Sequence, residues 1–303
     1  MPISTRYLKP EAIARLGHME LRARTIVEGF FSGQHKSPFR GASVEFADHR
    51  EYSPGDDPRH LDWKVYGRTD RLYVKEYDAE TNLLIHLVLD ASGSMGYPPT
   101  GGDGGGLSKL DYASYLAAAL AYLAVKQRDM VGLMVFDTGV RVNLAPASSP
   151  SHLATLLERL EEVQPRGETR LADTLQTLAL SLRRRGLVIL LSDLYDEPEA
   201  TLRGLGHFRH RGHDVAVFHV LSPAEWRFDL RGPVALEDME TGERVVMDAD
   251  EAREAYRREL NAFVAAYRQG CRDRFVDYVP LDTAAPFELA LARFLRRRAT
   301  TRR

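Results

Sequence analysis

The stretch Leu83–Gly96, with the sequence LLIHLVLDASGSMG, decides the fold of this chain. Its first half is apolar and β-favouring, and such a run closed by a turn signal predicts a strand buried on both faces. Asp90 ends the strand, and Ser92 and Ser94 follow it among small residues. Because open parallel sheets bind ligands beyond the carboxyl ends of their strands, these side chains are expected at a binding edge.

One carboxylate and two hydroxyls, alternating along a tight turn, can point into one small space. Hard oxygen ligands crowded in this way suit a hard cation such as Mg²⁺, with Mn²⁺ or Ca²⁺ as alternatives. Asp-x-Ser-x-Ser is a short pattern, however, and serines at a strand-to-helix turn also serve as helix caps. The turn alone leaves both interpretations open.

Composition indicates an ordinary globular protein that can bury a sizeable core. The chain has 303 residues, 44% of them hydrophobic and 28% charged, with a formal net charge of -2. That balance argues against a polyanion-binding protein, and the single cysteine, Cys271, excludes an internal disulfide. The longest apolar run, Leu116–Val125, is half of the roughly 20 residues that span a bilayer. We therefore expect a cytoplasmic protein with no membrane span.

Helices and strands alternate along the rest of the chain. Periodicity predicts helices at 108–128, 151–163, 171–184, 199–211, 250–269 and 287–298, and strands at 130–136, 140–144, 187–191, 215–221 and 277–281. The first of these helices has an apolar face, and a polar hairpin insertion is predicted near 226–247. This alternation predicts an α/β fold with a doubly wound, mostly parallel sheet and helices on both faces.

Two further loops offer oxygen ligands at the predicted binding edge. Thr169 lies in a Gly-Glu-Thr loop, and Asp193 follows the apolar strand at 187–191. Neighbouring strands can bring both to the rim that carries Asp90, Ser92 and Ser94. Two carboxylates and three hydroxyls form an incomplete shell for Mg²⁺, which prefers about six oxygen ligands. A carboxylate from another molecule could complete it.

These residues carry a family resemblance. Asp90, Ser92, Ser94, Thr169 and Asp193, in this order, resemble the metal-ion-dependent adhesion site (MIDAS) of von Willebrand factor A domains. The segment 45–64, EFADHREYSPGDDPRHLDWK, resembles the signature of the bacterial DUF58 family. Judged from these sequence patterns, the resemblance covers roughly residues 30 to 300. This sequence departs from the family pattern in two ways. Asp193 is followed by Leu194, where many A domains have glycine. Many family members carry membrane helices, and no such segment is predicted here.

The resemblance implies a von Willebrand factor A-like domain at 83–303. It also implies an N-terminal signature segment, 1–82, with a helix and a β-rich extension that packs on that domain. The metal ligands would be the five residues of the adhesion site, and the metal would be Mg²⁺. The partners would be a MoxR-type AAA+ ATPase and a client protein that offers an acidic residue, in chaperone-like assembly or maturation.

The charged segment 45–64 has a competing interpretation of its own. Several of its side chains superficially resemble metal ligands: His49, Asp56, Asp57, His60 and Asp62. The same stretch and its flank supply enough cations to pair the carboxylates, namely Arg50, Arg59, Lys64 and Arg68. We therefore interpret the segment as an ion-pair network.

The function expected from the sequence is a non-enzymatic module that captures an acidic partner side chain through Mg²⁺. One alternative is a serine- or metal-dependent hydrolase that uses the same rim, in its serine form with Ser92 or Ser94 as nucleophile and one of His207, His210, His213 or His219 as base. Another is nucleic-acid binding by the basic tail, with Arg293, Arg296, Arg297, Arg298, Arg302 and Arg303. The tail lacks interleaved aromatic residues and is interpreted as a solvated helix end, so no nucleic-acid partner is expected.

Overall fold

The computed structural model describes residues 45–54, 56, 61–78, 83–97, 107–285 and 294. These residues fall into two compact units, 45–78 and 83–294. Several predicted features lie outside the described residues: the N-terminal helix, residues 98–106, the helix at 287–298 apart from Phe294, and the arginine tail. Each unit is therefore described on its own.

The first unit is a two-stranded sheet with one helix. Strands β1 (Glu45–Glu51) and β2 (Tyr73–Asp78) pair antiparallel, and α1 (Trp63–Thr69) lies between them in the chain. Asp62 begins α1 as its N-cap, and its Oδ1 accepts the backbone N–H of Lys64 at 2.9 Å. Asp56 accepts the backbone N–H of Ser53 at 2.8 Å. Both carboxylates thus stabilise local backbone, whereas Asp57 and His60 lie outside the described residues.

The second unit alternates strands and helices. Its first half contains β3 (Leu84–Asp90), a 3-10 turn (Gly93–Gly96), α2 (Lys109–Lys126), β4 (Met130–Phe136), β5 (Val140–Ala147), α3 (Pro150–Glu162) and α4 (Leu171–Ser181). Its second half contains β6 (Leu187–Ser192), α5 (Pro198–His210), β7 (Asp214–Leu221), α6 (Pro223–Arg227), β8 (Pro233–Glu237), β9 (Arg244–Asp248), α7 (Ala249–Asp273) and β10 (Asp277–Asp282). The short helices α1 and α6 and the 3-10 turn were not predicted.

The central sheet has the strand order β10-β7-β6-β3-β4-β5. All neighbours pair parallel except β5, which forms an antiparallel hairpin with β4. Strand β3 lies between β4 and β6, so the order in which strands are added to the sheet reverses at β3. The carboxyl end of β3 is therefore the switch point where such sheets bind ligands. The predicted α/β fold, with a doubly wound, mostly parallel sheet and helices on both faces, is confirmed for this unit.

Alternate residues of each central strand face opposite layers of helices. Leu87 and Leu89 pack in the core with α2 and α3, whereas Val88 packs in the core with α4, α5 and α7. The prediction of a single apolar face on α2 was too narrow, because the helix is buried on nearly every side. It packs between the sheet and α3, so its first turn, with Lys109, is placed deep in the protein.

Gly186, just before β6, lies where a side chain would overlap the backbone of β3. A Cβ atom at this position would collide with the carbonyl oxygen of Leu84. Because backbone cannot move aside as a flexible side chain can, Gly186→Ala is expected to lower the free energy of unfolding by about 1–3 kcal/mol. Urea unfolding measures this. Gly139→Ala, where a Cβ meets no atom within 4 Å, is the matched control, and an equal loss in both variants would contradict the prediction.

Candidate functional site

Asp90 connects the ends of the two central strands. Its carboxylate is fully buried; Oδ1 accepts the backbone N–H of Ser92 at 3.0 Å, and Oδ2 accepts the hydroxyl of Ser192, the last residue of β6, at 2.6 Å. Among the described residues, no Lys, Arg or His lies within ion-pair distance of it. Burial, followed by the nearby carboxylate of Asp193, raises the pKa of Asp90 to about 7. The carboxyl group is thus firmly oriented, and no cationic side chain of the described residues pairs with it.

Two serine hydroxyls lie together beside Asp90. Ser92 Oγ is 3.2 Å from Ser94 Oγ. Two neighbouring ligands of an octahedral Mg²⁺, each at about 2.1 Å, would be about 3.0 Å apart. The alternative role of Ser92 as a helix cap is not what the structure shows, because its side chain makes no capping bond to the 3-10 turn that follows. The spacing and chemistry of these oxygens therefore fit a divalent cation.

The loop that carries Thr169 lies against this turn. The backbone N–H of Gly93 donates to the carbonyl of Gly167 at 2.9 Å, and the N–H of Arg166 donates to the carbonyl of Ala91 at 3.0 Å. Both bonds join segments remote in the sequence, so the Asp90 turn and the Thr169 loop are adjacent. We call Asp90, Ser92, Ser94 and Thr169 the oxygen rim.

Thr169 is bonded to a residue that the sequence did not indicate. Its backbone N–H and its hydroxyl donate to the two carboxylate oxygens of Glu240, at 2.9 Å each. Glu240 lies in the turn between β8 and β9, the predicted polar hairpin. The donors of Thr169 are therefore already engaged by a carboxylate of the same chain.

The hairpin turn also approaches the Asp90 turn directly. A Cβ on Gly93 would lie 2.5 Å from the carbonyl oxygen of Met239, so only glycine permits this approach. A Cβ on Gly96 would lie 3.6 Å from Met239 Cε. The hairpin tip thus lies over the glycines of the Asp90 turn.

Asp193 lies at the same edge but has a cationic partner. Its Oδ2 is 2.7 Å from Nζ of Lys109, whose ammonium is also 2.6 Å from Oε1 of Glu225. All three side chains are buried. Glu225 belongs to α6, where it forms a capping box with Ser222. The structure therefore places Asp193 in a buried ion-pair triad with Lys109 and Glu225, and its role as a metal ligand stays a prediction.

Helix capping fixes Lys109 in the triad. Ser108 caps α2 by accepting the N–H of Asp111 at 3.0 Å, so Lys109 begins the first turn. Burial by itself would lower the pKa of Lys109, but the carboxylates of Asp193 and Glu225 reverse this and raise it. The ammonium also lies 4.8 Å from the centre of the Tyr195 ring, a favourable cation–π distance. Lys109 is therefore a permanent charge beneath the rim.

Leu194 adopts a backbone conformation that glycine favours. Its φ is +59°, in the left-handed region, at the position where many A domains have glycine. Its N–H donates to Ser192 Oγ at 2.9 Å, and its carbonyl accepts the N–H of Asp196 and the hydroxyl of Tyr267. These three bonds stabilise the Leu194 backbone in this conformation.

The histidines proposed for a hydrolase do not pair with the serines. His219 is buried and hydrogen-bonds the hydroxyl of Tyr278 through Nδ1. His213 is buried before β7, and His207 and His210 are exposed on α5. No hydrogen bond between these histidines and Ser92 or Ser94 occurs among the described residues. A serine–histidine nucleophile therefore gains no support from the geometry.

Sequence reasoning missed four residues around the rim: Lys109, Ser192, Glu225 and Glu240. Ser192 had a usable signal, because it precedes Asp193 at the end of a buried strand. The signal for Lys109 was weaker, because it is only a lysine at the first position of an apolar helix. Within 45–78 and 83–294, as far as these are described, no group of three or more His, Cys, Asp or Glu side chains forms a metal cluster. The candidate site depends instead on hydroxyls.

Comparison with known families and sequences gives a consistent result. The model of a family described as "Protein of unknown function DUF58" matches residues 48–268. An uncharacterized protein of Mycobacterium bovis is 28% identical over 238 residues, which cover 77% of this chain and 72% of that relative. Proteins from two strains of Mycobacterium tuberculosis match to the same extent.

Comparison with solved structures finds similar chains at low sequence identity. BatB from Bacteroides thetaiotaomicron has a TM-score of 0.48 and 16% identity, over 72% of this chain and 99% of its own. An aerotolerance-related membrane protein of Bacteroides fragilis has a TM-score of 0.46 and 16% identity, over 71% of this chain and 99% of its own. The von Willebrand A domain of SpRpn10 has a TM-score of 0.39 and 13% identity, over 69% and 92%. In this chain, none of the described helices is long and apolar enough to cross a bilayer.

Proposed function

Because this chain belongs to the DUF58 family and has a von Willebrand factor A-like domain, we propose that it is a protein-interaction module that binds an acidic side chain of a partner. The oxygen rim is the proposed binding site. The observation that carries the proposal is the junction of the Asp90 turn with the Thr169 loop, through the 2.9 Å bond from Gly93 to Gly167. This junction supports a site in which hydroxyls and the Asp90 carboxyl group, which pairs with no cation among the described residues, share the edge where parallel sheets bind ligands.

We propose further that the rim binds Mg²⁺ through Asp90, Ser92, Ser94 and Thr169. The bound cation would supply the positive charge to which a partner carboxylate can attach. Ser192 and the N–H of Ser92 orient Asp90, so this carboxyl group is held in place before a cation binds. Lys109 engages Asp193, which makes Asp193 the least available of the five predicted ligands.

The partner that we propose is a MoxR-type AAA+ ATPase, together with a client that offers the acidic residue. Support for it is the family membership and the resemblance of the 45–64 segment. A cytoplasmic location and a non-enzymatic role belong to the same proposal. The rim itself offers recognition chemistry for a carboxylate, and this is the part that the geometry supports.

Asp90→Asn tests the proposal while keeping the shape of the side chain. The amide loses the negative charge, so the affinity for Mg²⁺, measured calorimetrically, is expected to fall at least tenfold, about 1.4 kcal/mol. Co-purification of the MoxR-type ATPase should fall with it and should also be lost in EDTA. Asp173→Asn, an exposed carboxylate in the first turn of α4, is the matched control. Partner binding that persists in EDTA would contradict the metal-dependent mechanism.

A further inference from the structure

Glu240 makes a contact of the kind expected for the bound partner. Its two oxygens accept the N–H and the hydroxyl of Thr169 at 2.9 Å each, so the Glu240 carboxylate is bound at both of its oxygens. Among the described residues, no Lys or Arg pairs with Glu240, so Thr169 is its principal anchor. A surface glutamate usually has a cation or solvent as its partner. Here it is directed at the oxygen rim.

The hairpin presents Glu240 through a preformed turn. Asp238 Oδ1 accepts the backbone N–H groups of Glu240 and Thr241 at 2.7 and 3.0 Å, and the N–H of Gly242 donates to the carbonyl of Asp238. The strands behind the turn are largely exposed, with Val246 77% accessible. The turn is therefore stabilised by its own hydrogen bonds, whereas β8 and β9 bury little apolar surface that would stabilise their position on the domain.

We propose that Glu240 is an internal acidic ligand that occupies the oxygen rim and must leave Thr169 before a partner carboxylate can bind. This inference rests on the proposed function and names its regulation. Glu240 engages the Thr169 hydroxyl, which is a proposed Mg²⁺ ligand, and the N–H beside it, so Glu240 and a second carboxylate bound at this place exclude each other. The hairpin of β8 and β9 is the lid, and the glycines at 93 and 96 are the surface on which its tip rests.

The competition has a measurable consequence for affinity. If the closed hairpin predominates, the apparent dissociation constant of any external carboxylate is raised by the reciprocal of the open fraction. Removing Glu240 removes this factor without altering the rim. A simple carboxylate such as acetate should then bind to Thr169 in the place of the missing side chain.

The experiment is an acetate titration of ¹⁵N-labelled protein without metal, followed at the backbone amide of Thr169. The variants are wild type, Glu240→Ala and Glu243→Ala, since Glu243 is an exposed residue of the same turn and carries the same charge. In Glu240→Ala we expect a saturable shift, with an apparent affinity at least tenfold above that of wild type and Glu243→Ala. Chloride at equal ionic strength should not reproduce it. Equal responses in all three proteins would overturn the proposal.

Hydrogen exchange gives a second measurement that does not depend on acetate affinity. The Thr169 amide is expected to exchange at least tenfold faster in Glu240→Ala, less so in Glu240→Gln, whose amide oxygen can still accept, and at the wild-type rate in Glu243→Ala. Unchanged exchange in Glu240→Ala would show that Glu240 does not hold Thr169, and would overturn the proposal.

These metal-free measurements separate the inference from the proposed function. If they succeed and added Mg²⁺ leaves the acetate affinity unchanged, the internal ligand stands and the metal-dependent part of the proposed function fails. If acetate binding is tighter with Mg²⁺ in Glu240→Ala, both are supported. If the Thr169 amide is indifferent to Glu240 while Asp90→Asn still loses the partner, only the internal ligand is wrong.

Discussion

Lys109→Met is expected to lower the free energy of unfolding by about 3–5 kcal/mol, because it removes one partner of a buried ion-pair network. Methionine keeps the length of the side chain but not the ammonium. Asp193 and Glu225 would then share a buried space with no counter-ion, each having lost a bond of 2.7 or 2.6 Å. Burial makes this cost much larger than at a surface ion pair, where about 0–1 kcal/mol is usual.

Urea unfolding at neutral pH, followed by circular dichroism, measures the loss. Lys126→Met, in the last turn of the same helix, is the control, and its expected effect is below about 1 kcal/mol. The triple variant Lys109→Met, Asp193→Asn, Glu225→Gln should recover much of the stability, because no uncompensated charge remains buried. A loss below about 1 kcal/mol for Lys109→Met alone would show that the triad is not isolated from solvent.

The triad also shows where prediction from sequence ends. The run Leu84–Leu89 with the acid after it predicts both a buried strand and its ligand edge, since few other structures accommodate a run that is apolar except for His86 and stops at a carboxylate. The same reasoning places Asp193 at that edge. Its partner, Lys109, is 84 positions away in the sequence. Nothing in local periodicity indicates that a lysine opening a helix turns inward.

Glu240 was beyond prediction for a different reason. A polar hairpin near 226–247 was predicted, and local sequence signals were sufficient for that. Which surface a hairpin tip touches depends on the direction in which it leaves the domain, and this is set by the packing of α6 and α7 around it. Local signals thus identified the elements, whereas long-range placement decided what completes the site.

Acidification is expected to destabilise the protein through His86, by up to about 3 kcal/mol between pH 7 and pH 4. Burial, followed by the charge of His213, lowers the pKa of His86 from 6.5 to about 4. As the pH falls, the unfolded chain takes up a proton at 6.5 while the folded protein does not, so stability present above pH 6.5 is lost progressively. A difference of about 2.5 pKa units, at about 1.4 kcal/mol each, gives this magnitude.

His86→Leu removes the titrating group and should flatten the pH dependence relative to wild type. Asp129 provides a comparison of opposite sign, because burial raises its pKa to about 6. The folded protein binds that proton first and gains stability as the pH falls, so Asp129→Asn should steepen the acid loss. The asparagine can still accept the N–H of Leu83, as the carboxylate does at 2.8 Å. Free energies of unfolding of wild type, His86→Leu and Asp129→Asn, measured at several pH values between 7 and 4, give the three curves. Parallel curves for wild type and His86→Leu would contradict the prediction, because His86 would then be protonated in the folded protein as readily as in the unfolded chain.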